Sequence, residues 1–320
     1  MEIRRPAWHL PARSPVSPAS DDGRQGARDP GHAVLSDTYL AICLGLFSAV
    51  TLAAANMSVK MGTDILVGRA ILSSSAAILM LPAVFFVAPP DAETWAALGW
   101  AMPAHFLYQI CLVKAMQRGD LSLVFPVMRG TAPLLTAFSA LMLLGETLAP
   151  LSWLGLFCAT AAVIVFALPP SGVKLRNHPD RTALLWALGT ALGISLYNAA
   201  DARGVRIAPD PFTYIVWLFL LDCVAITTLA VALRRDILAQ AVAMKWRFGV
   251  AAGALSIFSF GTALYAFTLM ETAKVSALRE TSVVFAALLG TLFLGESFGR
   301  RRVVAAGALA AGLVLMQFGR

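Results

Sequence analysis

The stretch from Leu121 to Glu146, LSLVFPVMRGTAPLLTAFSALMLLGE, places one arginine inside an apolar run long enough to cross a lipid bilayer. About 20 mostly apolar residues span the roughly 30 Å of hydrocarbon as a helix. An ionised side chain in such a helix is costly unless it faces protein or water. Arg129 therefore indicates a polar path through a membrane protein.

A second stretch, SALRETSVVFAALLGTLFLGE from Ser276 to Glu296, repeats this arrangement. In each copy an arginine, Arg129 or Arg279, precedes at the same spacing the glutamate of a Leu-Gly-Glu sequence, Glu146 or Glu296. Self-similarity of this kind is typical of an internally duplicated chain. The two stretches are therefore interpreted as equivalent parts of two repeats.

Composition indicates an all-α integral membrane protein. The 320 residues are 58% hydrophobic and 13% charged, with a mean hydropathy of +0.74, whereas soluble domains are roughly 45–50% apolar and 25% charged. The net charge of +7 lies mostly in short segments between apolar runs, so it does not indicate a nucleic-acid partner. The expected partners are the lipid bilayer and a small-molecule substrate. A monomer and a homodimer both stay open.

Ten apolar windows are long enough to be transmembrane helices. They lie at about 38–58, 64–87, 93–116, 120–144, 150–168, 182–201, 212–233, 247–269, 273–294 and 301–318. The domain prediction is a disordered tail at 1–35, five-helix repeats at 36–168 and 182–318, and a linker at 169–181. Small residues four apart, Gly155 with Ala159 and Gly307 with Ala311, predict close helix contacts in the fifth and tenth windows.

Lysines and arginines are concentrated in the odd-numbered connections between these windows, which predicts that those connections face the cytoplasm and both termini lie outside. An odd number of helices in each half gives the two repeats opposite orientations. The ten helices are thus predicted to form two inverted five-helix repeats.

Several of these features resemble the EamA-type branch of the drug/metabolite transporter superfamily over residues 36–318. They are Arg69 early in the second window, Gly119-Asp-Leu-Ser-Leu-Val-Phe-Pro126 at the start of the fourth, and the two Leu-Gly-Glu sequences. The resemblance implies a ten-helix carrier in the bacterial inner membrane that exports metabolites or amino-acid-like compounds from a cavity between its repeats. It also implies cytoplasmic termini, contrary to the loop charges, so orientation stays open.

Arg129 and Arg279 are the first candidates for substrate binding, because the repeat predicts them on opposite walls of one cavity. A guanidinium stays protonated and binds carboxylate or phosphate in a forked geometry, so it suits an anionic group. A structural role, tying helices together, stays open for each arginine. Glu280 and Asp222 are candidates for proton coupling or for structural pairing within the bundle.

Three further residues are predicted to shape the cavity: His105, Tyr197 and Asn198. His105 is a candidate proton carrier because histidine titrates near neutral pH, and a hydrogen-bonded core histidine is the alternative. A second group is assigned to the structural motif of the repeats, namely Glu146, Glu296, Arg69 and Pro126. Of these, Pro126 is favoured for a role at the site, because proline frees a backbone carbonyl.

The sequence has no nucleotide-binding G-x-x-x-x-G-K-[ST], no H-E-x-x-H zinc motif and no G-x-S-x-G nucleophile elbow. No enzyme activity, cofactor or metal is therefore predicted. The leading hypothesis is a secondary transporter working by alternating access. The alternatives are a membrane enzyme that acts on a lipid or isoprenoid through its intramembrane acids, and a membrane scaffold or sensor.

Overall fold

The computed structural model describes residues 30–59, 64–119, 121–167, 181–294 and 299–319, and all regular structure in these ranges is helical. Glu296 and residues 169–180 of the predicted linker lie outside the described residues, as do residue 168 and most of the predicted tail. The first helix begins at Pro30, so residues 30–35, assigned to the tail from sequence, are helical.

The helices cover the predicted windows and are labelled α1 to α11 in chain order. They are α1 Pro30–Val59, α2 Ile65–Met80, α3 Ala92–Arg118, α4 Leu121–Leu144, α5 Pro150–Ala167, α6 Arg181–Ile207, α7 Pro211–Ser256, α8 Thr262–Ala266, α9 Thr272–Arg279, α10 Ser282–Leu294 and α11 Arg300–Phe318. A 3-10 segment, Leu81–Phe86, extends α2, and a π-helical segment, Ile257–Gly261, joins α7 to α8. Below, the first half means α1–α5 and the second half α6–α11.

In the part of the chain that the structure describes, eight helical segments are long and apolar enough to cross a membrane. They are Ser36–Ala55, Ile65–Phe86, Ala92–Arg118, Val127–Leu144, Arg181–Ile207, Pro211–Met244, Trp246–Ala266 and Arg300–Phe318. Pro150–Phe166 is apolar but shorter. The chain is therefore a multi-pass membrane protein, while the count of ten spans stays a prediction.

Short polar residues start two of the membrane helices. The Asp91 side chain accepts a hydrogen bond from the Thr94 backbone N–H at 2.8 Å at the start of α3, and Asp64 accepts one from Val67 N–H at 3.1 Å at the start of α2. These bonds satisfy backbone donors that have no partner within the helix. The hydrogen bonds from Thr94 lower the pKa of the Asp91 carboxyl, so it carries its charge beside the positive end of the α3 dipole.

The long helix α7 reverses direction within its own length. Asp222 accepts a hydrogen bond from Ser73 at 3.0 Å, yet a Cβ placed on Gly253 would lie 2.8 Å from Ser75, two residues further along α2. In a straight helix, positions 222 and 253 would be about 46 Å apart at 1.5 Å per residue. The windows predicted at 212–233 and 247–269 are therefore two arms that both pack on α2, and the turn between them is itself helical.

The window predicted as one helix at 273–294 is instead interrupted. α9 ends at Arg279 and α10 begins at Ser282, with Glu280 and Thr281 in a turn between them. Interrupted membrane helices leave backbone groups to line a site, and they are common where transporters bind their substrates. Here the interruption directly follows one of the two candidate arginines.

Helices α5 and α11 cross at glycines. A Cβ on Gly155 would lie 2.5 Å from the backbone nitrogen of Met316, and one on Gly312 would lie 2.7 Å from that of Ala159. Gly155 and Ala159 thus make the close contact predicted for the fifth window. The prediction for Gly307 and Ala311 is wrong: Gly307 has open space around it and Ala311 is exposed, because Gly312 faces α5 instead.

Candidate functional site

A cavity of about 90 Å³ lies between the two halves of the protein. The first half contributes residues of α1, α2 and α3, and the second half contributes residues of α6, both arms of α7, the π-helical segment and α9. Its polar and aromatic wall consists of Arg69, Ser73, His105, Tyr108, Tyr197, Phe219, Asp222, Ser256, Ser259, Phe260 and Arg279. Side chains distant in sequence therefore share one chamber inside a membrane protein.

Arg279 is held on this wall at the end of α9. Its Nε donates a hydrogen bond to Ser48 Oγ at 3.1 Å, and its guanidinium carbon lies 5.1 Å from the centre of the Phe260 ring. Ser48 and Ser259 are joined by two further bonds, in which each hydroxyl donates to the other residue's carbonyl, at 2.5 and 2.9 Å. These contacts orient the Arg279 guanidinium beside the cavity. The residue as a whole is only 8% exposed.

Aromatic rings form a second part of the wall. Tyr197 stacks on His105 with ring centres 4.5 Å apart and contacts Tyr108 and Phe260 edge-on at 5.2 and 5.6 Å. The Arg69 guanidinium carbon lies 5.4 Å from the centre of the Tyr108 ring. Rings packed in this way have little freedom to move, so the cavity has a rigid aromatic side next to two cations.

His105 lies between two carboxylates. Its Nε2 is 2.9 Å from Asp201 Oδ2 and its Nδ1 is 3.4 Å from Asp222 Oδ1. Tyr214 donates to Asp201 Oδ1 at 2.9 Å, and Gln109 donates to Asp222 Oδ1 at 2.9 Å. This chain of polar contacts crosses from α3 in the first half to α6 and α7 in the second.

Arg129 and Asn198 lie outside the cavity wall. Arg129 Nη1 is 3.4 Å from Glu280 Oε1, which joins α4 to the turn that follows α9. Asn198 is buried, and its Nδ2 is 3.3 Å from the hydroxyls of both Thr136 and Ser276. The structure thus brings Arg279, His105, Tyr197, Asp222 and Arg69 to one cavity, while Arg129, Glu280 and Asn198 make helix-to-helix contacts.

Glu146 connects three segments near one end of the bundle. Its carboxylate accepts hydrogen bonds from Arg206 Nη1 at 2.5 Å and from the Thr272 backbone N–H and hydroxyl, both at 2.8 Å. Arg206 also donates to the carbonyls of Phe267 and Met270 at 2.7 and 3.1 Å. Glu146 therefore caps α9 and fastens the end of α4 to α6. Pro126 lies within α4 and is distant in sequence from Glu146.

Replacing Glu146 with glutamine is expected to destabilise the protein by about 1–2 kcal/mol, because the amide has one acceptor oxygen and presents a donor to Arg206 or Thr272. Thermal unfolding of the purified protein in detergent measures the effect. The matched control is Glu271→Gln, because the Glu271 side chain is 39% exposed and pairs at 3.2 Å with Lys274 of α9, the helix that Glu271 directly precedes, so that it joins no other segment. Equal melting temperatures for the two variants would contradict the capping role.

Some members of the site escaped sequence reasoning. Ser48, Ser73 and Phe260 have no distinctive local pattern, since serines and aromatic residues are ordinary in membrane helices. Tyr214 and Asp201 belong to different helices, and only packing shows that they meet. His105 and Asp222, a titratable side chain and an acid in apolar runs, were the signals that pointed towards this network.

Within the described residues, no group of three or more His, Cys, Asp or Glu side chains is arranged to hold a metal ion. The chemistry available at the cavity is therefore that of fixed cations, carboxylates, an imidazole and aromatic faces. Such groups bind and orient a small polar or amphipathic molecule.

Comparison with known proteins agrees with this architecture. A crystal structure of another protein is similar to this one with a TM-score of 0.67 and 18% sequence identity, covering 88% of this chain and 96% of that chain. That likeness concerns the fold. The model of the EamA-like transporter family matches residues 181–318, which contain α6 to α11. Over residues 181–318, this multi-pass membrane protein is therefore similar to the EamA-like transporter family.

Proposed function

We propose that the protein is a secondary transporter that exports a small polar or amphipathic metabolite, amino-acid-like or anionic, across the bacterial inner membrane. In this proposal ten spans form two inverted five-helix repeats, and the cavity between them opens to each side in turn. Arg279 orients an anionic group of the substrate, and Tyr197 and His105 shape the space around it.

The observation that carries the proposal is the position of Arg279 on a cavity between the halves. The Ser48 hydroxyl and the Phe260 ring hold its Nε and one guanidinium face, and its charge remains available to a carboxylate or phosphate. A cation in a low-dielectric chamber attracts an anion more strongly than one in water. Arg129 is paired with Glu280 in this conformation, so its proposed contact with substrate requires that pair to separate.

The packing of the helices supports the inverted-repeat part of the proposal. α3 of the first half packs on α6 of the second half. The equivalent contact in the other direction, between the eighth predicted span of the second half and α1 of the first half, is also present. The contacts of α5 with α11, α4 with α9 and α2 with α7 each pair a helix with its own counterpart. A pseudo-two-fold relation between the halves accounts for both kinds of contact.

The energy source follows from the motifs of the chain. Because the sequence contains no nucleotide-hydrolysing motif, transport in this proposal is driven by the substrate's own gradient, by protons or by exchange. No observation on the described residues favours the alternative of a membrane enzyme acting on a lipid or isoprenoid.

Purified protein in liposomes tests the proposal against a panel of labelled amino acids and anionic metabolites. At least one compound is expected to cross faster than in protein-free liposomes and to raise the melting temperature of the protein by mass action. A protein that unfolds cooperatively in the same lipid but moves no compound of the panel and is stabilised by none would overturn the proposal.

A further inference from the structure

We propose that His105, Asp201 and Asp222 form the proton-binding site of the transporter, with the exchangeable proton held either on His105 Nδ1 or on the Asp222 carboxyl, whose nearest oxygen is 3.4 Å away. This inference rests on the proposed transport function and adds the coupling ion and the atoms that hold it.

The donors and acceptors around the imidazole determine how many protons the site holds. Carboxylates only accept hydrogen bonds, and a neutral imidazole has a single N–H. His105 has Asp201 at 2.9 Å from one ring nitrogen and Asp222 at 3.4 Å from the other. Both contacts are favourable only when a second proton is present, carried by Nδ1 or by the Asp222 carboxyl. That proton belongs to the pair as a unit.

The remaining partners of the two carboxylates are neutral. Tyr214 donates to Asp201, while Gln109 and Ser73 donate to Asp222. These bonds fix the orientation of the acids but do not neutralise them. Without the shared proton, the three groups would place two negative charges inside the membrane protein, where uncompensated charge is expensive.

Other charged and titratable side chains face this group from each neighbouring element. Arg69 of α2 and Arg279 of α9 line the same cavity. Tyr197 of α6 stacks on His105, and Tyr108 of α3 contacts Tyr197. Among the described residues, neither arginine lies within 4.0 Å of an oxygen of Asp201 or Asp222. The cations therefore contribute to the field of the cavity without occupying either carboxylate.

Burial identifies the side from which the proton exchanges. The Asp201 side chain is fully buried and that of His105 is 7% exposed, whereas that of Asp222 is 18% exposed and lines the cavity. The N–H or O–H bond of the shared proton breaks towards cavity water, and the bond between His105 Nε2 and Asp201 is retained. The lone pair of Nδ1 then faces an ionised carboxylate, so Asp222 is released to bind a cationic group of the cargo instead.

The same contacts link proton occupancy to conformation. His105, Gln109 and Ser73 belong to the first half, and Asp201, Tyr214 and Asp222 belong to the second. A movement of one half against the other separates these partners. Protonation therefore favours the arrangement described here, and the proton and a cationic cargo group compete for Asp222, which is the behaviour of an antiporter.

Nitrogen NMR of the histidine rings tests the site with the proton itself as the probe. The protein is labelled with ¹⁵N in its four histidines, reconstituted in lipid nanodiscs, and the His105 signals are assigned by their loss in His105→Gln. At about pH 7, where histidine protonation is commonly in balance, wild type is expected to show a protonated Nε2 and an Nδ1 that carries or accepts the second proton. Asp222→Asn is expected to leave one N–H, directed at Asp201.

The matched control is Asp210→Asn, which makes the same replacement at the start of α7 and outside the cavity wall. It is expected to leave the His105 signals unchanged. A wild-type His105 whose Nδ1 signal does not change as the pH is raised, or whose signals do not respond to Asp222→Asn, would overturn the proposal. This measurement needs no substrate, so it is decided separately from the proposed function.

Coupling is tested in liposomes with any compound that crosses in the flux panel. A pH gradient of one unit is expected to support about tenfold accumulation for one-proton exchange, and to do so in Asp210→Asn as well. Accumulation in Asp222→Asn is normalised to the exchange rate of that variant, and the pH gradient is expected not to increase it. Wild-type flux that is independent of the pH gradient overturns the coupling role. An absence of flux for every compound of the panel overturns the proposed function.

Discussion

Arg279→Gln is expected to lower the transport rate by roughly 10- to 150-fold at limiting substrate, because it removes a charge-assisted hydrogen bond to the anionic group. Such bonds contribute about 1.5–3 kcal/mol, and each 1.4 kcal/mol is a factor of ten in affinity. Glutamine retains donors to Ser48 but not the charge. The measurement is the initial rate of flux in liposomes, normalised to the amount of inserted protein.

Three further variants show what causes this loss. Arg279→Lys keeps the charge but not the forked donor geometry, so an intermediate rate is expected. Arg203→Gln changes an exposed arginine on α6 and is expected to transport as wild type. Arg129→Gln tests the second arginine in the same assay. If Arg279→Gln and Arg129→Gln both transport normally, the assignment of either residue to the substrate is wrong.

Gly312→Leu is expected to reduce the stability of the protein by about 3 kcal/mol, because a side chain at this position has no room between α5 and α11. Its Cβ alone would lie 2.7 Å from the Ala159 nitrogen and 2.9 Å from the Gly155 carbonyl oxygen. These are backbone atoms, so the helices must move apart to admit it. Thermal unfolding in detergent, followed by tryptophan fluorescence, measures the loss.

Gly307→Leu supplies the matched control on the same helix. Nothing lies within 4 Å of a Cβ at Gly307, so the same replacement is expected to change stability by no more than about 0.5 kcal/mol. Similar losses in both variants would show that leucine disturbs α11 for a reason unrelated to the crossing. The pair also distinguishes the contact predicted from sequence, at Gly307, from the one in the structure, at Gly312.

The difference between these glycines illustrates why sequence patterns located helices better than contacts. Hydropathy alone identifies apolar windows, and all ten windows carry helix in the described residues. The spacing of small residues identifies faces that permit close approach, but α11 has more than one such face. Which face meets α5 depends on the rotation of each helix in the bundle, and that is set by the summed packing of all its neighbours.

The candidate site was likewise predictable in part. Arg279, His105, Tyr197 and Asp222 were recognisable as costly or titratable side chains in apolar runs, and the structure places them on one cavity. Arg129 satisfied the same criterion through the internal repeat, yet it pairs with Glu280 outside that wall. Equivalent positions in two repeats need not have equivalent surroundings, because the interruption after Arg279 alters the second copy locally.

The amino-acid sequence by itself determined that this chain is a bundle of membrane helices with a few charges buried at a high cost. Lipid offers no partners to backbone groups, so a long apolar run has to become a helix wherever it lies in the chain. Only the tertiary structure decided which charges meet. The proximity of His105 to Asp201 and Asp222, or of Arg279 to Ser48, depends on helices far apart in sequence packing at one depth and rotation, which no local pattern specifies.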